Sequence, residues 1–367
     1  MRVAYLFAVS SAALLTVSTA YAGPTTPSDL MNSYNLIVFG NLTNNSQHVD
    51  GKTYVGGNVS GSGDYNQKPV GVNLPALTVG GNFSGSANIN GTGGIAVTGN
   101  FASQNYYNQN GLGTSYIGGN LTGNANFKGD LYVGGNISGN VNVNDGTKHQ
   151  NFGLGSIASH LTSPATTTAM QNTLGGYSSW LDTLTATSTI TQNGMLATFN
   201  ATPNANGVAV FDINNAIDFF NSINEIRFNV GSATEIVVNV SGASSGLLTI
   251  AENFLDGIAP SLGLNTIWNF TDATDIHIDR QFGGSILALL ADVTLGNSAN
   301  EEGTLVAKNA TLNAEVHYDG VNNNIPTPPE DAPPPVSETP LPGALPLFAT
   351  GLGALALVVR RRKKAKA

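Results

Sequence analysis

A hydrophobic residue two places before Gly-Asn is the pattern that most constrains how this chain can fold. It occurs at Val38-Phe39-Gly40-Asn41, Val55-Gly56-Gly57-Asn58, Val79-Gly80-Gly81-Asn82, Val97-Thr98-Gly99-Asn100, Ile117-Gly118-Gly119-Asn120 and Val133-Gly134-Gly135-Asn136. An apolar residue follows each asparagine (Leu42, Val59, Phe83, Phe101, Leu121, Ile137), and Ser or Thr comes next in five of the six copies. Successive copies lie 17, 24, 18, 20 and 16 residues apart. A strand, a glycine corner and a second strand, repeated about every 20 residues, cannot bury an apolar face alone. Stacking buries it, and this is the signature of a β-solenoid.

Glycine supplies corner conformations closed to other residues, and asparagine tolerates such corners while carrying both donor and acceptor. Asn41, Asn58, Asn82, Asn100, Asn120 and Asn136 are therefore expected to bond rung to rung as a buried ladder. Gly-Asn also makes hairpin turns, which is the competing reading; the repeat length favours stacking. Asn58-Val59-Ser60, Asn82-Phe83-Ser84 and Asn136-Ile137-Ser138 match the N-glycosylation pattern as a by-product of the repeat. Gly and Pro, 60 of 367 residues, stay below the roughly 25–30% of low-complexity chains, so a packed core is expected.

The pattern changes after Asn151. Ser163-Pro164 reads as an N-cap and first helical position, and Met170, Leu174, Tyr177, Leu181 and Leu184 recur at helical steps. This predicts one amphipathic helix, weakened at Gly175-Gly176, with its apolar stripe against a solenoid wall. Strand signals return at 208–213, 226–230, 236–240, 247–250, 276–278, 285–293, 304–307 and 314–318. The expected fold class is all-β dominated: a β-solenoid (β-helix) with one long amphipathic helix packed along it, forming a single domain over 23–325.

The two ends read as addresses. Residues 1–22 carry Arg2, an apolar run and Ala20-Tyr21-Ala22, a signal peptide with cleavage expected after Ala22. Eight prolines between Pro326 and Pro342 predict an extended spacer over 326–340. Residues 341–359 carry no charge and precede Arg360, Arg361, Arg362, Lys363 and Lys364, predicting a membrane segment with its basic end in the cytoplasm. Seven basic residues remain between these ends against all 23 acidic ones, which opposes nucleic acid as a partner. With no Cys, disulfide frameworks and CxxC metal or redox motifs are excluded.

The stretch from Pro340 to Leu355 with its basic cluster resembles a PEP-CTERM sorting tail, although Glu338-Thr339-Pro340 stands where Pro-Glu-Pro is usual. The resemblance implies export in a Gram-negative, exopolysaccharide-making bacterium. It also implies processing by signal peptidase and an exosortase-type enzyme, with cleavage near Pro340 and Pro342. Membrane contact through the C-terminal segment would then be at least transient.

A second resemblance covers most of the body. Tyr34-Asn35-Leu36-Ile37-Val38-Phe39-Gly40-Asn41-Leu42, Val55-Gly56-Gly57-Asn58-Val59, Asn239-Val240-Ser241-Gly242, Trp268-Asn269-Phe270-Thr271-Asp272-Ala273-Thr274, Gly284-Ser285-Ile286-Leu287-Ala288, Gly303-Thr304-Leu305-Val306-Ala307-Lys308 and Glu315-Val316-His317 together resemble a choice-of-anchor A domain. Leu289 departs from it where Pro commonly follows Leu-Ala. The resemblance implies an adhesive domain on a bacterial surface and brings no catalytic residues.

Motifs for chemistry are few. Gly242-Ala243-Ser244-Ser245-Gly246 fits G-x-S-x-G, but strand signals on both sides make it a polar loop rather than a nucleophile elbow. Asp275, His277 and Asp279 alternate with Ile276 and Ile278, so all three should share one strand face, as solvated groups or as candidate ligands of a divalent cation. Calcium nonapeptides and phosphate-binding loops are absent from the sequence. Thr183, Thr185, Thr187, Thr189 and Thr191 form one alternating run, expected as a solvent-facing strand or loop. No cofactor is expected. The reading that follows is a non-catalytic, exported, surface or matrix adhesive or structural protein whose partners are exopolysaccharide or other surface proteins. The alternatives are a polysaccharide-active β-helix enzyme (lyase or hydrolase) and an ice- or water-ordering solenoid.

Overall fold

A computed structural model describes residues 25–68, 74–318 and 326–328. The chain divides after Thr327. The signal peptide and the sorting tail lie outside the described residues, within which no helix is long and apolar enough to cross a membrane.

The body is a parallel β-solenoid. One wall stacks short strands in the order Val208–Ile213, Glu235–Val240, Thr266–Phe270, Ser285–Leu295, Leu305–Leu312, Leu36–Val38, Thr53–Val55, Leu77–Val79, Ile95–Val97, Ser115–Ile117, Leu131–Val133 and Lys148–His149. The chain therefore enters in the middle of the stack. It builds outward to Lys148–His149, crosses to the far end, and builds back until Leu305–Leu312 meets Leu36–Val38. At this seam Leu36 pairs with Leu305, Leu42 with Ala310 and Val49 with Val316, all parallel.

The crossing uses the helix Pro164–Asp182, capped by Ser163, whose Oγ accepts from the Thr166 N–H at 3.1 Å. Nineteen residues at about 1.5 Å each cover about 28 Å, a large part of the return along rungs spaced at about 4.8 Å. The helix runs unbroken through Gly175-Gly176, correcting the expected weakening, and stops before Leu184. Met170, Leu174, Tyr177 and Leu181 bury against Ile37, Val210, Val237, Ile267, Leu287 and Val306, the outward residues of the wall. Residues on either side of those, such as Leu36, Val38, Val238 and Leu305, point into the solenoid. Apolar packing on both faces explains why the wall strands read as unbroken apolar runs (Leu36-Ile37-Val38) rather than alternating ones.

Inside, the residue after each corner asparagine stacks in register: Leu42, Val59, Phe83, Phe101, Leu121 and Ile137. Phe83 and Phe101 lie parallel, ring centres 4.6 Å apart. Thr189–Asn193 is the edge strand of a separate four-stranded sheet and pairs antiparallel with Leu196–Asn200. The alternating threonines thus form no array across rungs. At the outer end of the wall, the Thr187 and Ser188 N–H groups bond the Val210 carbonyl and cover the first strand's edge. Body contacts reach the first residue of the expected spacer, since the Tyr177 hydroxyl donates to the buried Pro326 carbonyl at 2.8 Å.

Candidate functional site

The corners generate a continuous polar surface. Each corner asparagine accepts, through Oδ1, the backbone N–H of the next one: Asn58 on Asn41 (2.9 Å), Asn82 on Asn58 (2.8 Å), Asn100 on Asn82 (2.8 Å), Asn120 on Asn100 (2.8 Å) and Asn136 on Asn120 (2.9 Å). The ladder crosses the seam, because the Asn41 N–H donates to Asn309 Oδ1 at 2.7 Å and Asn309 donates to Asp292 Oδ1 at 2.7 Å. All six asparagines are exposed, which corrects the expected burial. The physical reason is strand alternation: the following apolar residue takes the inward position, so the asparagine faces out.

Two residues beyond each asparagine a second outward rank appears. Thr249, His277, Thr294, Thr311, Thr43, Ser60, Ser84, Ala102, Thr122 and Ser138 are register neighbours in that order, crossing the seam between Thr311 and Thr43. All are half-buried or exposed. Small side chains dominate, eight of the ten carry a hydroxyl, and Thr43 bonds its neighbour Ser60 at 3.2 Å.

Another wall carries an amide ladder that sequence reading missed. Asn142 donates to Asn126 (2.9 Å), Asn126 to Asn108 (2.9 Å), Asn108 to Asn88 (3.2 Å) and Asn88 to Asp64 Oδ1 (2.7 Å). Every amide points the same way because the chain of donors ends on a carboxylate, which can only accept.

Beneath the helix lies a buried polar latch. Asn269 donates to the Ser178 carbonyl (2.9 Å) and to Asn239 Oδ1 (3.0 Å), and accepts from Ser178 Oγ (2.6 Å). Asn239 in turn donates to the Leu181 carbonyl at 2.9 Å.

Asp275, His277 and Asp279 leave the strand as expected, with Ile276 and Ile278 fully buried. His277 Nε2 lies 3.3 Å from Asp279 Oδ1 at an exposed position. They are not gathered into a three-ligand group; among the described residues that group is His48, Glu315 and His317. It sits at the seam. Val49 pairs with Val316, which places His48 opposite Glu315 and Asp50 opposite His317, and the next strand sets Glu302 against His317. His48 Nδ1 is 3.0 Å and His317 Nε2 2.9 Å from the Glu315 carboxylate, while His317 Nδ1 bonds Glu302 Oε1 at 3.0 Å. Asp50, almost fully buried, pairs with Lys68 (2.8 Å) and accepts the Tyr318 N–H (3.0 Å). The hydrogen bond that His317 donates to Glu302, opposed by burial and helped by Glu315 and Asp50, pushes the His317 pKa up to about 9. The sequence signals, His48-Val49-Asp50 and Glu315-Val316-His317, are alternating triplets like Asp275-Ile276-His277. Their convergence was hidden by the chain length between them.

The family model described as "Putative Ice-binding-like adhesive domain" matches residues 27–117 and 104–318. The chain belongs to that family. The match spans the seam and both polar ranks of this adhesive-type domain. Comparison with curated proteins gives no match. Among solved structures, the crystal structure of an ice binding protein from an Antarctic bacterium, Flavobacteriaceae, is similar at 11% identity, covering 82% of this chain and 84% of that one with a TM-score of 0.28. The family assignment rests on the family match alone.

Proposed function

We propose that this protein is an exported, non-catalytic adhesive component of the cell surface or matrix, and that the small hydroxyl rank with its flanking asparagine ladder is the contact surface. The observation that carries this reading is the unbroken register of that rank from Thr249 to Ser138 through the seam. Rungs spaced at about 4.8 Å present a periodic row of donors and acceptors, complementary to a ligand with its own repeated hydroxyls, such as an exopolysaccharide. Membership of an adhesive domain family supports the same role.

The polysaccharide-active alternative calls for a pair of solvent-facing carboxylates flanking a bond. Exposed carboxylates lie in register on neighbouring rungs at Asp275 and Asp292, where Asp292 is held by Asn309 and Lys308; those gathered at the seam include Asp50, Glu302 and Glu315. Asp50 and Glu302 have side chains only 3% and 4% exposed and are bonded by Lys68, His317 and Gln281. That arrangement supports a structural role for them.

The tail completes the proposal. Signal peptidase removes 1–22, the segment 341–359 inserts with its basic end inside, and an exosortase-type enzyme cuts near Pro340 to Pro342. The test of the adhesive reading is binding of the purified protein to the producing organism's exopolysaccharide and extracellular proteins. Saturable binding that Ser60→Arg or Thr122→Arg removes supports it; binding unaltered by both refutes the assigned surface. A water- or ice-ordering role is the second reading, favoured by the same row of hydroxyls and weakened by its interruptions at His277 and Ala102. Inhibition of ice recrystallisation, lost in Ser60→Arg, would select it.

A further inference from the structure

We propose that His48, Glu315 and His317 bind a divalent transition-metal ion of the zinc class, and that this ion staples the chain's first rung to its last. The inference is independent of the adhesive reading. It begins with convergence: one imidazole comes from the opening rungs, the other from the closing strand Val316–His317, and one ligand atom from each of the three residues lies within 4.8 Å of the others. His48 Nδ1 and His317 Nε2 both aim at one carboxylate, at 3.0 and 2.9 Å. Small inward shifts bring two imidazole nitrogens and a carboxylate oxygen to the roughly 2.0–2.2 Å that zinc requires.

The surroundings are those of a ligand set rather than a chance surface pair. Metal-bound histidines usually hand their second ring nitrogen to a carboxylate, which fixes the ring and the tautomer. His317 does so with Glu302 at 3.0 Å, and Glu302 is itself held by Gln281 at 2.6 Å. On the other side, His48 Nε2 faces Asp50 Oδ1 at 3.7 Å, and Asp50 is anchored by Lys68 and the Tyr318 N–H. The two supporting carboxylates are almost fully buried, whereas His48, His317 and Glu315 keep 31%, 23% and 33% of their side chains exposed, leaving an entry route. Two imidazoles disfavour calcium or magnesium, which prefer oxygen ligands, and suit zinc, copper, nickel or cobalt. Three protein ligands leave room for a solvent ligand.

The consequence is mechanical. The first and last rungs are joined by strand pairing and by side-chain hydrogen bonds such as Asn41 to Asn309 and Tyr318 to Asp50, between segments some 268 residues apart, and a shared ion adds a cross-link there. Stabilisation follows mass action, because the unfolded chain cannot bring these groups together.

The test uses the tag-free protein stripped with chelator and titrated with Co²⁺, then with Zn²⁺ as competitor. We expect one equivalent of Co²⁺ to bind with visible d–d absorption, Zn²⁺ to displace it, and Zn²⁺ to raise the wild-type unfolding temperature. His48→Ala and His317→Ala should each weaken binding by more than about 100-fold, and Glu302→Gln, which leaves all ligands in place, by about 10–100-fold. His277→Ala on the exposed His277–Asp279 pair should change nothing. The absence of saturable binding by the wild-type protein, which needs no variant to fold, overturns the proposal. So does stoichiometric binding that persists in Glu302→Gln and in both histidine variants.

Discussion

Replacing Gly99 with alanine probes why each of the six repeated corners from Gly40-Asn41 to Gly135-Asn136 carries glycine before its asparagine. Left-handed backbone is not the reason, since Gly99 lies outside the positive-φ set. Space is. A Cβ at Gly99 would stand 2.5 Å from Asn82 Oδ1 and 2.7 Å from the Gly81 carbonyl, and at Gly81 and Gly119 the ladder oxygen below is again 2.5 Å away. Those oxygens are already bonded, Asn82 Oδ1 by the Asn100 N–H and the Gly81 carbonyl by the Gly99 N–H, each at 2.8 Å. To admit a methyl group the corner must lift from its neighbour. One or two exposed hydrogen bonds weaken at about 0.5–1.5 kcal/mol each, and forced packing adds about 1–3 kcal/mol. The expected loss is about 2–4 kcal/mol. Thr98, one residue earlier, occupies a corner position where a side chain fits, its Oγ1 donating to the Thr162 carbonyl at 2.9 Å. Gly175 in the long helix provides a control of opposite sign: nothing lies within 4 Å of its added Cβ, so Gly175→Ala should stabilise by about 0.5–1 kcal/mol. Urea unfolding followed by far-ultraviolet circular dichroism measures both. A neutral Gly99→Ala, or two variants shifting in the same direction, would refute the argument from rung spacing.

Three further outcomes follow from the same structure. Asn269→Leu removes the bridge between the helix and the wall, stranding Ser178 and Asn239 in a buried site; a loss of about 2–4 kcal/mol is expected by urea unfolding, and a stable variant would show that the latch is dispensable. Asn100→Ala on the exposed ladder should cost no more than about 1 kcal/mol, because water replaces the lost partner; a loss above about 2 kcal/mol would mean that the ladder acts as a buried network. In chelator, the raised pKa of His317 stabilises the fold fully below its unfolded value near 6.5, and that contribution is lost as pH rises through about 9. Its ceiling is about 3 kcal/mol, so unfolding midpoints should fall between about pH 6 and pH 10 in the wild type and flatten in His317→Gln; parallel profiles would remove His317 as the cause.

The local parts of this fold were legible because their signals are local. The Val-Gly-Gly-Asn corners, the Ser163 cap and the helical spacing from Met170 to Leu181 each lie within a few residues. Gly175-Gly176 misled because propensity counts less than the burial of Leu174 and Tyr177 on the wall. Burial of the ladder was misread because the repeat gives the positions of its asparagines without giving their side of the strand; Leu42 or Phe83, the next residue, decides that. The seam was illegible. Nothing within either half indicates that Asn41 bonds Asn309 or that His48 meets Glu315, since the stacking order departs from chain order. The Ser and Thr positions after each asparagine were visible as part of the repeat. Their continuation through Thr311, Thr294 and Thr249 needed the register of the second half.

The most direct test of the adhesive account is a quantitative binding comparison on the producing organism's purified exopolysaccharide. It uses wild type, a face variant carrying Ser60→Arg and Thr122→Arg, and a control carrying Gln171→Arg on the exposed side of the long helix. The account predicts saturable binding by wild type and control and its loss in the face variant, with all three unfolding at similar urea concentrations. Equal binding by all three proteins would contradict it.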